Sequence, residues 1–227
     1  MKAFQNEKQW WHHLLWVFGG AILGMLIAVV FAGIFKLERN IFLMPYVLLI
    51  SVFLYSYMRW SDLDLKKMFS GYWGWGLLGG VVVGIFVVKS VLMQPSSPTP
   101  QGIDLLLNLL WPGLIYGAID GLLLSVLPVF AVLKASSELS WTDTWPKRIG
   151  SYTLALVVSL IVIAVYHLGY PEFQNKQVFL PIFGVGVMSL AYIVTRNPIA
   201  PVLSHIAMHI ASVIHGLNSV VQLPPHY

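Results

Sequence analysis

Residues 111–128 read WPGLIYGAIDGLLLSVLP. The run is apolar enough to lie in hydrocarbon, yet it carries an aspartate, Asp120, in its middle. Gly113, Gly117 and Gly121 recur every fourth position, so on a helix they form one smooth stripe that lets a neighbouring helix approach closely. A carboxylate in that setting costs about 2.5–3.5 kcal/mol on insertion scales, and it has to be neutral, paired or wet. Intramembrane ionisable groups of this kind mark functional sites by default. The structural alternative is an aspartate that bonds a histidine or the backbone and locks the bundle.

The rest of the chain has the same character. Its 227 residues are 58% hydrophobic and only 10% charged, with a mean hydropathy of +0.78. Soluble domains carry about 25% charge. The fold class is therefore an all-α, polytopic transmembrane helix bundle of about seven spans, read as one domain over residues 1–227. The expected spans are His13–Phe35, Ile41–Tyr57, Gly71–Met93, Leu105–Leu133, Ser151–Leu168, Val178–Val194 and Ile199–Val221. The second, fifth and sixth are short enough to be tilted, broken or partly inserted. Pro45, Pro112, Pro128, Pro181 and Pro201 predict kinks or helix starts. Residues 94–101, QPSSPTPQ, read as a loop. The first apolar run is too long for a signal peptide and reads as a retained helix.

Net charge is +4 and the isoelectric point about 9.3. The basic residues lie between apolar spans, so they speak for membrane orientation rather than for a nucleic-acid partner. With the N-terminus inside, nine of the 13 Lys and Arg fall in inner segments, among them Lys2, Lys8, Arg59, Lys66, Lys67, Lys147 and Arg148. The expectation is a multi-pass protein of the cell membrane with a cytoplasmic N-terminus. No cysteine is present, which excludes thiolate chemistry. Two further stripes, Gly20–Gly24–Ala28–Ala32 and Gly76–Gly80–Gly84, suit packing inside the bundle or a homodimer. His12 and His13 beside Trp10, Trp11 and Trp16 read as an interfacial anchor, as do Tyr72, Trp73 and Trp75.

Three histidines join Asp120 as candidates. In NPIAPVLSHIAMHIASVIHG, residues 197–216, His205 and His209 are four apart and share a helix face, while His215 points elsewhere. Such a pair can bind metal or haem, relay protons or donate hydrogen bonds. His167 ends the fifth span in VIAVYHLGYPEF, residues 162–173. A carboxylate that takes a proton from water, a histidine that orients that water and two oxyanion donors would make a hydrolytic site. Three imidazoles and a carboxylate also suit zinc or iron.

The stretch from about Trp111 to Gly216, within a motif-bearing core of about 105–221, resembles the CAAX-protease and bacteriocin-processing family of intramembrane endopeptidases. TRNPIAPVLSHIAMH (195–209) resembles that family's third motif through Thr195, Ala200, Pro201 and His205. AVYHLGYP (164–171) resembles the second, with His167 in the histidine place, and AIDGLLLSVLP (118–128) resembles a worn first motif. The departures are specific. Asp120 stands for the first glutamate, Gly121 for the second, Ser125 for the arginine, Ile163 for a phenylalanine and His209 for an asparagine. The resemblance implies a metal-independent endopeptidase that cleaves peptide or membrane-protein substrates among membrane lipids, with no cofactor. It assigns catalysis to Asp120, His167, His205 and His209: Asp120 with His167 activates water, and His205 with His209 holds the oxyanion. The alternatives are a catalytically inactive homologue acting as a membrane binding or scaffold protein, and a His/Asp metal-dependent membrane hydrolase.

Overall fold

The computed structural model describes residues 10–224. Lys2 and Lys8 of the charge count lie outside them. Seven helices are long and apolar enough to cross a membrane: α1 (Trp10–Ile34), α2 (Arg39–Ser61), α3 (Trp73–Leu92), α4 (Gly102–Glu138), α5 (Trp145–His167), α6 (Lys176–Thr195) and α7 (Ile199–Gly216). No strand occurs among the described residues. The chain is an integral multi-pass membrane protein built as a helical bundle.

The expected weak spans are full length. α2 and α5 are 23 residues each and α6 is 20. Polar and aromatic flanks such as Arg39, Trp60 and Trp145 continue the helices past their apolar middles, which a hydropathy reading truncates. Pro201 falls in the first turn of α7 and Pro181 in the first turn of the α-helical part of α6, Phe179–Thr195, where a missing N–H costs no bond. Pro112 lies in the π-helical stretch Leu109–Tyr116 of α4, and a second such stretch covers Leu122–Val126. Asp120 sits in the five-residue α-helical piece Gly117–Gly121 between them. π turns rearrange the backbone ladder and often flank functional positions.

α4 is the most buried span, and α7 packs against it and against α3. Between helices in hydrocarbon no hydrophobic force operates, so close packing of small residues has to hold them. A Cβ on Gly113 would meet Ile210, one on Gly117 would meet His209 and Ile206, and one on Gly121 would meet His205 and Val202. The descending partner numbers show that α4 and α7 run antiparallel. Gly76, Gly80 and Gly84 of α3 face Asn197, Leu203 and Ala207. Gly20 and Gly24 of α1 face α4 and Tyr166. Glycines of all three stripes meet the chain's own helices, the first of the two alternatives the sequence offered.

Within the aromatic segment at the start of α1, His13 is fully buried in the protein. Its Nδ1 lies 3.0 Å from the Tyr57 hydroxyl and its Nε2 lies 3.1 Å from Glu138 Oε1. Because a carboxylate only accepts, the ring N–H donates to Glu138 and Tyr57 donates to Nδ1. This chain of bonds ties α1, α2 and α4 together. Replacing Glu138 with alanine removes a charge-assisted acceptor and is expected to lower stability by about 1.5–3 kcal/mol. Thermal unfolding in detergent checks this; an unchanged midpoint would mean that water serves Nε2 equally well.

Candidate functional site

α4 and α7 bring Asp120, His205 and His209 together. Asp120 Oδ2 lies 3.5 Å from His205 Nδ1 and 3.5 Å from His209 Nε2. All three residues are buried. The four-residue spacing puts both imidazoles on the α7 face that the glycines of α4 accept, and a side chain at 117 or 121 would hold that face off.

Two further sets of residues complete the surroundings, and of them the sequence marks only Ser125, as a departure from the family pattern. Tyr46 of α2 donates its hydroxyl to Asp120 Oδ1 at 3.0 Å. Tyr46 is fully buried inside a span, away from the membrane interfaces where tyrosine is usual, and that position was its one signal. The second set is a chain of buried serines. Ser125 Oγ lies 3.4 Å from His205 Nε2, Ser189 donates to Ser125 at 3.1 Å, and Ser159 and Ser189 are 2.7 Å apart. Ser125 stands where the resemblance places an arginine. It holds the back of the His205 ring, so that Nδ1 faces Asp120.

His167 does not join this contact. Its Nδ1–H donates to the Ile163 carbonyl at 2.8 Å, which leaves Nε2 as an acceptor in the neutral ring. It lines a cavity of about 540 Å³ whose wall also includes Asp120, His209, Tyr116 and Tyr166. His167 at the end of α5 and Asp120 in the middle of α4 thus border one space with no break in either helix between them. The direct contacts of Asp120 are with His205 and His209, and His167 shares the cavity with it. His215, as expected, points away: its Nε2 donates to the Gln94 carbonyl at 2.8 Å.

The cavity lining is otherwise apolar, with Phe86 and Val87 from α3 and Phe179, Leu180 and Phe183 from α6. The last three are well exposed on the bundle surface. Hydroxyls of Tyr116 and Tyr166 are 3.2 Å apart, and those of Tyr166 and Tyr170 are 3.0 Å apart, so a row of phenols borders the cavity beside the carboxylate.

Replacing Tyr46 with phenylalanine keeps the ring packing against Tyr116 and Tyr166 but removes the donor to Asp120. The expected result is a loss of about 1–3 kcal/mol in stability and, if the chain cleaves peptides, roughly a tenfold fall in kcat with KM little changed. Steady-state kinetics beside a melting curve separates the two effects; an unchanged kcat would show that Asp120 needs no such support.

A multi-pass helical membrane protein with a buried carboxylate and two imidazoles at the wall of a cavity is the class that fold and site define. Residues 120–211 match the family model described as Rce1-like, type II CAAX prenyl endopeptidase Rce1-like. The match starts on Asp120 and runs past His209, so it takes in all four candidate residues, and this part of the chain is similar to that family's model. The family is one of membrane-embedded proteases. No curated protein and no solved structure matches the chain.

Proposed function

We propose that the chain is an intramembrane endopeptidase that cleaves a peptide bond at or in the membrane with a water activated by Asp120. The observation that carries this reading is the convergence of Asp120, His205 and His209, with Asp120 and His209 on the wall of a cavity that His167 also lines. Asp120 is the general base, held from behind by Tyr46 and flanked by the two imidazoles. His167 orients the water through its Nε2 lone pair. The oxyanion then draws donors from His209 and the neighbouring phenols. The apolar walls and the exposed Phe179, Leu180 and Phe183 suit a substrate that arrives from lipid. With the N-terminus in the cytoplasm of a cell-membrane protein, the mouth near His167 lies in the outer half of the bilayer.

A second reading, a non-catalytic binding or scaffold protein on the same fold, is favoured by one contact. A side chain at Gly121 would meet His205, so the second carboxylate of the family pattern has no room here. One assay decides between the readings. The purified chain in liposomes is given a set of membrane-anchored peptides, and products are identified by mass spectrometry, with Asp120→Asn as the control. Cleavage that depends on Asp120 supports the peptidase. Equal cleavage by both proteins, or none by either, removes it.

A further inference from the structure

Asp120, His205 and His209 are the one group of three or more potential ligand residues among the described residues whose donor atoms converge, all within 4.8 Å of one another. Of the buried ring nitrogens, His205 Nδ1 and His209 Nε2 reach only Asp120 Oδ2, at 3.5 Å and without good hydrogen-bond geometry, and His209 Nδ1 has no hydrogen-bond partner. Buried polar atoms without partners are few in folded proteins, and each calls for a reason.

We propose that this cluster is a binding site for a divalent transition-metal ion of the zinc class, ligated by Asp120 Oδ2, His205 Nδ1 and His209 Nε2. Zinc binds imidazole nitrogen and carboxylate oxygen at about 2.0–2.2 Å, which sets two tetrahedral ligands about 3.3–3.5 Å apart. Both edges from Asp120 measure 3.5 Å. The supporting groups fit as well. Tyr46 bonds the other carboxylate oxygen, Oδ1, and leaves Oδ2 for the ion. Ser125 stands at His205 Nε2 and can accept the ring N–H that a ligating Nδ1 requires on the far side. Asp120 and His209 border the cavity, so a fourth position opens onto it for water or for His167 Nε2. Two imidazoles with a single carboxylate select zinc-like ions over magnesium or calcium, which take mostly oxygen.

The site follows from the geometry and not from the hydrolytic reading, since a chain that cleaves nothing would still bind the ion. If the chain does cleave, the ion and not Asp120 would hold the attacking water. The test uses full-length protein purified in detergent without a polyhistidine tag, incubated with Zn²⁺, freed of excess by gel filtration and measured by mass spectrometry for metal. The expected result is one zinc per chain in the wild type and in His215→Ala, and less than about a tenth of that in His209→Asn, whose side chain remains polar and similar in size. Co²⁺ in place of Zn²⁺ is expected to give the visible bands of a four-coordinate site in the wild type and not in His209→Asn. Wild-type protein without stoichiometric zinc, zinc retained in His209→Asn, or zinc lost equally from His215→Ala would each overturn the proposal. Peptide cleavage measured on the same samples keeps the two readings apart: zinc without cleavage removes only the peptidase, and cleavage without zinc removes only the ion.

Discussion

Asp120→Asn is expected to reduce peptide cleavage by about 100-fold to 10,000-fold, the range that a positioned general base contributes. Asparagine matches aspartate in shape and keeps an oxygen for the Tyr46 hydroxyl, so packing around the position is retained. What it loses is the ability to take a proton. The variant therefore separates chemistry from folding better than alanine does, because alanine would also leave Tyr46 without an acceptor. The expected pattern is a melting temperature close to that of the wild type with a collapsed kcat. Combining Asp120→Asn with Tyr46→Phe is expected to add little further loss, since Tyr46 acts through the carboxylate and the two effects are not independent. A double variant that loses the product of both factors would mean that Tyr46 touches substrate in its own right. An Asp120→Asn protein that cleaves normally would end the proposed mechanism.

The spans and the central carboxylate were legible because each rests on a local pattern. Long apolar runs give the seven helices, and the spacing of His205 and His209 gives their common face. Even the burial of the glycine stripes follows from small residues every fourth position, although sequence alone leaves open whether the facing helix belongs to the same chain. What stayed hidden depends on contacts far apart along the chain. Tyr46 and Asp120 are 74 residues apart, and His13 and Glu138 are 125 apart. A tyrosine or histidine in an aromatic-rich segment gives no sign of its partner, so the contacts of His13 emerge only once α2 and α4 are seen around it. The serine chain is hidden for the same reason: Ser125, Ser159 and Ser189 sit on three different helices, and a lone serine is ordinary in each. Nor does the sequence show that the Nδ1 of His167 is held by its own helix at Ile163, which leaves Nε2 as the nitrogen that can face the cavity.

Gly121→Val is expected to damage the site from behind, without touching any of its polar atoms. A Cβ at this position stands 3.2 Å from His205 Cβ, His205 Cδ2 and Val202 Cα. The ring atom Cδ2 could yield by rotation, but His205 Cβ is fixed to its backbone and Val202 Cα is backbone, so both move only with α7. Valine then adds two methyl groups where one carbon is already tight. The helices have to separate, at a cost of about 1–3 kcal/mol in stability. Separation also carries His205 and His209 away from Asp120, and a displacement of about 1 Å at a reacting centre can lower the rate roughly 100-fold. The expected readout is a lower melting temperature together with loss of cleavage and of bound zinc. A glycine elsewhere provides the contrast. Gly74, in the first turn of α3, has open space within 4 Å of where a Cβ would stand. Gly74→Ala removes only backbone freedom, so it is expected to leave activity unchanged and to raise stability by about 0.5–1 kcal/mol. If both variants behaved alike, the close approach of α4 to α7 would not be what sets the geometry of the carboxylate and its two histidines.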